Sequence, residues 1–251
     1  MLAHAEQLPS LLVVDVGNTI AKVAIFRVEE LVAVYHTSNV TLDGLGVWAK
    51  QYGCTAGILS TVIDLSVIAE RALAELPFPP LRLTGNTPLP MQSKYAASKL
   101  GTDRIAAVAA VASEQCDLTL IVDLGTCITY DWVLGNCHLG GNIAPGINMR
   151  LKAMHDYTSR LPLVEPSGKT VTIGTTTEDA MLAGVLQGIC HEIIGYTTQR
   201  ILNRAISRVL ITGGDAHYLK ALITHQAPLL EHDANLVLKG LNRILLYNGT
   251  Y

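Results

Sequence analysis

Runs of apolar residues just long enough for strands alternate along the chain with stretches of helical spacing. LLVVD (11–15) is continuously apolar until it ends in an acid, which is the pattern of a strand covered on both faces. A hairpin partner follows near 20–28, and another strand is expected near 31–36. Helical spacing appears at 43–52 and again at 64–76, with Asp64 placed to cap the second helix. AGILS (56–60), between these two helices, reads as a short buried strand. Pro77, Pro79, Pro80, Pro88 and Pro90 make 77–90 an extended connection. Gly101-Thr102-Asp103-Arg104 then opens the small-residue helix IAAVAAVAS (105–113), with Thr102 or Asp103 as its cap.

The second half repeats this order. LTLIVD leads a strand near 118–123 that turns at 124–127 into another near 128–134. Gly140 to Gly146 is expected to form a glycine-rich approach to a helix near 147–160. The longest helix starts near Thr177, with Glu178 and Asp179 at the positive end of its dipole, and is expected to run to about 205. VLITGG (209–214) reads as a buried strand that ends in paired glycines, and 235–248 as a terminal helix. Strands alternating with helices indicate an α/β fold, and the hairpins indicate mixed sheets. The break is placed near 114–117, giving domains 1–114 and 115–251.

The two halves share a short design. In LVVDVGNTIAKV (12–23) and LIVDLGTCITYD (120–131), β-formers lead into Asp-x-Gly, then small polar residues, then β-formers again. Asp15 and Gly17 match Asp123 and Gly125. One such segment is also an ordinary turn, since Asp, Gly and Asn all tolerate turn geometry. Its recurrence behind equivalent strands favours a metal–phosphate role. Glycine lets the backbone approach a phosphate, the amides and hydroxyls of Asn18, Thr19 and Thr126 donate to its oxygens, and the carboxylate holds a cation.

Composition narrows the classes. No apolar run approaches the length of a membrane span, and the opening MLAHAEQLPS has no signal-peptide pattern, so a cytoplasmic protein with no membrane partner is expected. The formal charge of −3 and the lack of a basic stripe argue against a nucleic-acid partner. The five cysteines (Cys54, Cys116, Cys127, Cys137, Cys190) are odd in number and form no Cys-x-x-Cys, so they read as reduced thiols. The eight histidines form no metal-ligand spacing. Asn39-Val40-Thr41 matches a glycosylation sequon that carries no meaning without secretion. Ser167-Gly168-Lys169-Thr170 has the end of a Walker loop, but Leu163 stands where its first glycine belongs. No Gly-x-Gly-x-x-Gly follows a strand, which leaves dinucleotide binding unsupported.

Asp15-Val-Gly-Asn-Thr19, Gly101-Thr-Asp-Arg104, Asp123-Leu-Gly-Thr126, Gly140-Gly-Asn-Ile-Ala-Pro-Gly146, Gly174-Thr-Thr-Thr177 and Thr212-Gly-Gly214, in this order, resemble the type III pantothenate kinases. These belong to the acetate kinase, sugar kinase, Hsp70 and actin superfamily. The resemblance implies two ribonuclease-H-like domains with mixed sheets and an ATP cleft between them. It also implies a homodimer, Mg²⁺, a monovalent cation (K⁺ or NH₄⁺), and ATP-dependent phosphorylation of pantothenate, the first step of coenzyme A synthesis.

By the same resemblance, Asp15, Val16, Gly17, Asn18, Thr19, Ile20, Ala21 and Lys22 form the first phosphate-binding loop, with Asp15 facing the Mg²⁺–phosphate group. Gly101, Thr102, Asp103 and Arg104 form the pantothenate-binding motif, in which Asp103 is the catalytic base and Arg104 fixes the anionic substrate. Asp123 corresponds to the monovalent-cation ligand, Thr126 to an ATP contact and Thr177 to a substrate contact, and Gly213-Gly214 lie near the nucleotide. The sequence departs from the family where a tyrosine precedes the Gly-x-Asp-Arg motif. Lys94 holds that position, Tyr95 follows it, and Ala97 replaces a proline. Tyr95 is expected to line the pocket after the one-residue shift.

Structural readings stand beside these roles. Asp103 with Arg104 also suits a helix-capping ion pair, Thr177 a helix cap, and Gly213-Gly214 a tight strand exit. Another kinase of the superfamily, or a nucleotide-sensing relative without activity, would share the fold.

Overall fold

Leu11, Leu12, Val13 and Val14 have no solvent exposure, because β1 (Ser10–Val16) is covered on both faces. The computed structural model describes residues 9–113, 115, 117–167, 172–223 and 229–249. Cys116 and the Gly168–Thr170 part of the Walker-like segment lie outside them. After β1 come β2 (Ala21–Arg27), β3 (Glu30–Thr37), α1 (Leu45–Gln51), β4 (Cys54–Thr61), α2 (Val67–Ala74), the short β5 (Leu81–Arg82) and β6 (Gln92–Ser93), a 3₁₀ turn (Ala97–Lys99) and α3 (Thr102–Val111). The sheet order is β3-β2-β1-β4-β5. The β1–β2 and β2–β3 pairs are antiparallel, and the β1–β4 and β4–β5 pairs are parallel. Leu12, Val14 and Val16 pack with Leu45 and Ala49 of α1 and with Ala69 and Leu73 of α2. Alternation along the strand therefore sends Leu11, Val13 and Asp15 to the opposite face. Helix α2 is capped by Ser66, whose hydroxyl accepts from Ala69 N at 3.0 Å. Asp64, the expected cap, lies too far upstream of the first helical residue.

The next stretch, Ser113–Ala234, forms a compact unit of its own. It contains β7 (Leu118–Leu124), β8 (Cys127–Leu134), β9 (Cys137–Pro145), α4 (Ile147–Asp156), α5 (Thr177–Thr197), the hairpin β10 (Arg200–Ile201) and β11 (Arg204–Ala205), β12 (Arg208–Thr212), α6 (Ala216–Ile223) and β13 (Leu230–His232). Its strands lie in the order β13-β12-β7-β8-β9. The β7–β8 and β8–β9 pairs are antiparallel, and the β12–β7 and β12–β13 pairs are parallel. Reading outward from β7, this is the order and direction found around β1.

Most of Gly140–Gly146, the expected approach to α4, is strand, because backbone pairing with β8 carries it: Asn142 faces Tyr130 and Ala144 faces Ile128. One expectation needs correction in this unit. Helix α5 stops at Thr197, short of 205, and the chain reverses through Leu202 and Asn203, both at positive φ. One core feature was not foreseen: Asp131 and His138, both buried, meet at 2.7 Å. Cys54 and Cys190 are buried, as expected of reduced thiols that pack as small hydrophobes, and burial pushes both thiols up to about 11.

The terminal helix α7 (Leu236–Tyr247) returns to the first unit, which comprises the chain up to Ala112 together with residues from Asn235 onward. A continuous 115–251 domain is thus not what the structure contains. The return depends on close backbone contact. A Cβ on Gly240 would run into the Ala106 carbonyl of α3. Arg243 Nη1 donates to Ala109 O at 2.9 Å and also to Ala112 O, which satisfies carbonyls at the end of α3. Asn242 Nδ2 donates to Val28 O at 2.6 Å, bracing the β2–β3 turn where Val28 has φ 55°. Because α3 carries the Gly-Thr-Asp-Arg motif, this contact sets where the motif lies. Gly240→Ala should therefore cost about 1–3 kcal/mol of stability, as overpacking does. A thermal melt superimposable on that of the wild type would contradict this packing.

Candidate functional site

In the first unit the site grows from the end of β1. Asp15 shares the Leu11–Val13 face and is flanked in register by Lys22 of β2 and Ser60 of β4. Burial, followed by the negative charge of Asp103, pushes its carboxyl up to about 6; a hydrogen bond with Ser60 and the charge of Lys22 act the other way. The structure thus brings Asp15 and Asp103 within electrostatic reach of each other. After Val16 the chain turns through residues 17–20, closed by Gly17 N donating to Ile20 O at 3.1 Å. Asn18, Thr19 and Ile20 are exposed, whereas Val16 and Ala21 are buried and contribute backbone only. Asn39 Nδ2 donates to Gly17 O at 3.1 Å and to Asn18 O at 2.9 Å, tying the loop carbonyls back. Sequence reasoning met Asn39 only as a sequon. Nothing local marks a side chain that braces a loop so far upstream.

Helix α3 supplies the second motif. Gly101 stands at its N-cap position, and neither Thr102 nor Asp103 caps it. The Asp103 carboxylate folds back over Gly101, where a Cβ would meet its Oδ1, and Oδ1 accepts from Arg104 N at 2.8 Å. Arg104 is buried, and its guanidinium lies 5.6 Å from the centre of the Tyr95 ring, a cation–π arrangement. The one-residue shift therefore still delivers a tyrosine to the motif's arginine. Thr102 Oγ1 donates to Thr61 O at 3.0 Å and accepts from Ser60 Oγ at 3.0 Å.

In the second unit Asp123 is flanked by Thr129 of β8 and Thr212 of β12. Gly213, at φ 96°, lies so close that a Cβ would strike Asp123 Oδ1 and the Leu124 carbonyl. Gly213 thus admits the backbone to the acid, whereas a side chain at Gly214 would meet open space. Gly125 N donates to Cys127 O at 3.1 Å and Gly146 N to Thr126 O at 3.1 Å, which fixes the turn carrying Thr126. A strut supports Gly146. Arg150 donates from Nε to Pro145 O at 2.7 Å and from Nη2 to Glu192 Oε2 at 2.7 Å, and the Tyr130 hydroxyl donates to Glu192 Oε1 at 2.9 Å. Asp215, which sequence reasoning passed over, follows the glycine pair. Its N donates to Leu124 O at 2.9 Å, and burial raises its carboxyl pKa while His217 opposes the shift. An acid beside glycines was the signal already used for Asp15 and Asp123. At the start of α5 the cap is Thr176, whose hydroxyl accepts from Asp179 N at 3.1 Å. Thr177 is the first helical residue and is exposed, so the capping explanation for it falls away.

Comparison with known proteins gives this geometry a family. The profile of type III pantothenate kinase matches residues 11–199. The type III pantothenate kinase of Bacteroides fragilis is 45% identical over 244 residues, spanning 95% of this chain and 98% of that protein. That of Phocaeicola vulgatus is 40% identical over 240 residues, spanning 94% and 98%. A solved structure described as a conserved putative Baf family transcriptional activator from Campylobacter jejuni shares the fold, with a TM-score of 0.61 at 22% identity, covering 96% of this chain and 100% of that one. With the motifs in order and matches along nearly the whole chain, this protein belongs to the type III pantothenate kinase family.

Proposed function

We propose that this protein transfers the γ-phosphoryl group of ATP to pantothenate, giving 4′-phosphopantothenate and ADP at the first step of coenzyme A biosynthesis. Family membership carries the reading, and the observation in its own residues that supports it best is the pairing of Asp15 and Asp103, one beside the exposed Asn18-Thr19 turn and one beside a buried arginine. The shared strand order of the two units supports reading both as ribonuclease-H-like domains that contribute to one nucleotide site.

Phosphoryl transfer asks mainly for positioning and charge stabilisation. The exposed amides and hydroxyl of Asn18 and Thr19, with Lys22 behind them, donate to phosphate oxygens, and Thr126 contacts ATP from the second unit. Arg104, steadied by the Tyr95 ring, pairs with the pantothenate carboxylate, and Gly101, Thr102 and Thr177 complete the substrate contacts. Asp103 takes the proton of the primary hydroxyl as its oxygen bonds to phosphorus and the bond to ADP breaks. Mg²⁺ suits Asp15, a hard oxygen donor whose burial penalty a cation relieves, and its chemistry is to offset charge on the phosphates. K⁺ or NH₄⁺ suits Asp123, whose carboxylate and the neighbouring Leu124 carbonyl both lie close to Gly213 and are oxygen donors. A homodimer is favoured by the exposed small-residue edge of α5, which includes Thr177, Ala180, Gly184 and Gly195. A cytoplasmic site of action fits the pathway.

The deciding experiment is ATP consumption with pantothenate, with a hexose or acetate, and with no acceptor. Turnover should require pantothenate; turnover with a hexose or acetate alone would overturn the assignment. Asp103→Asn keeps the shape but cannot take the proton. It should lose about 10²–10⁴ in kcat with little change in nucleotide affinity, and near-normal turnover would remove Asp103 as the base. With Mg²⁺ saturating, activity should rise strongly when K⁺ replaces Na⁺, and Asp123→Ala should lose both the activity and the response. Equal rates in the two salts would remove the monovalent-cation role.

A further inference from the structure

Ser60 is the last residue but one of β4 and has no solvent exposure, after the apolar run Ala56, Gly57, Ile58 and Leu59. Packing alone does not call for a hydroxyl there, since a small apolar side chain would fit a core strand without a polar group to satisfy. The hydroxyl lies between two motifs of the candidate site. It hydrogen-bonds Asp15 and stands 3.0 Å from Thr102 Oγ1, which itself stands 3.0 Å from Thr61 O. Ser60 has a single proton and faces two acceptors, and hydroxyl protons rotate to suit their surroundings. An ionised Asp15 is the stronger acceptor. Ser60 then donates to the carboxylate, and Thr102 can turn its own proton from Thr61 O to Ser60 Oγ. In both arrangements Ser60 Oγ stays bonded to Thr102 Oγ1, so the first residue of α3 stays fastened to the strand that flanks Asp15; with Asp15 ionised it is the Thr61 carbonyl that gives up the Thr102 proton. The second unit repeats the feature: Thr212, 2% exposed, is the register partner of Asp123.

We infer that Ser60 is a positioning residue for phosphoryl transfer. Its hydroxyl fixes Asp15 and, through Thr102, the helix start that carries Asp103, so that two mutually repelling carboxylates keep their spacing. This rests on the roles proposed above for Asp15 and Asp103.

The test uses the full-length protein and steady-state kinetics with ATP and pantothenate. Ser60→Ala removes the link, Ser60→Thr restores a hydroxyl, and Thr102→Val removes the partner with little change of shape. Ser60→Ala should lower kcat about tenfold or more, as small misplacements of reacting groups do, while KM for both substrates stays within about twofold. Ser60→Thr should recover most of the loss. The double variant Ser60→Ala/Thr102→Val should lose no more than the worse single variant, because both act through one contact. A Ser60→Ala kcat within about twofold of the wild type, or losses that multiply in the double variant, would overturn the inference. Thermal melts identify a variant that does not fold. In that event Ser60→Cys, which keeps the size of the side chain and weakens its hydrogen bonds, carries the test by the same kcat criterion. Wild-type protein that consumes ATP without needing pantothenate would instead overturn the functional reading.

Discussion

The structure turns on one constraint: in each unit the central strand carries an acid near its C-terminal end, and in the first unit that acid, Asp15, shares a face with the buried Leu11 and Val13. A carboxylate in such a place resists ionisation. For Asp15 the resistance is deepened by a second acid, Asp103, and relieved in part by Ser60 and Lys22. The consequence for stability has a definite sign. The folded protein holds the Asp15 proton more tightly than the unfolded chain does, so stability falls as pH rises from the ordinary aspartate value of 3.8 through about 6. At neutral pH the penalty is on the order of 3 kcal/mol, from ~1.4 kcal/mol per pKa unit. A fold that tolerates this without function would gain by replacing the acid. The Mg²⁺–phosphate role proposed for Asp15 would give a reason to keep it.

The surrounding elements follow from the same need. The β1 turn is closed by its own backbone and braced by Asn39, while the β7 turn is braced by Gly146, which is held in place through Arg150 and Glu192. The two copies have diverged at the residue opposite the acid on the hairpin partner. Asp15 faces Lys22, a cation suited to phosphate, whereas Asp123 faces the neutral Thr129. That difference matches the separate roles proposed for the two acids. At the residue opposite on the parallel strand the copies agree, with Ser60 in one and Thr212 in the other.

Much of this was legible in the chain. Continuous apolar runs and their spacing located most principal strands and helices, and the repeated Asp-x-Gly exposed the internal symmetry before any coordinates. The misses share a physical cause. The glycine-rich stretch before Gly146 was legible only as an approach to a helix; that it is strand rests on cross-strand pairing, which overrides the weak strand preference of glycine. Helix α5 lost its last turns to a hairpin that local spacing did not signal. The return of α7 to the first unit depends on the contact of Gly240 with Ala106, far apart in sequence and invisible to local pattern. Asn39, Ser60 and Asp215 were missed because their importance lies in what they touch. Tyr95 was the reverse case: a register shift in sequence that the fold absorbs by stacking the ring near Arg104.

The central claim is that Asp15 is held in a place that disfavours its charge until a cation-bearing nucleotide arrives. Carbon-detected NMR titration of aspartate carboxyls, with Asp15→Asn to assign the resonance, measures this directly. Without ligand, Asp15 should titrate at about 6. With Mg²⁺ and a non-hydrolysable ATP analogue, it should stay ionised well below that pH. An Asp15 that titrates at the ordinary aspartate value of 3.8 in the free protein, or whose titration is unmoved by the Mg²⁺–nucleotide, would contradict the account.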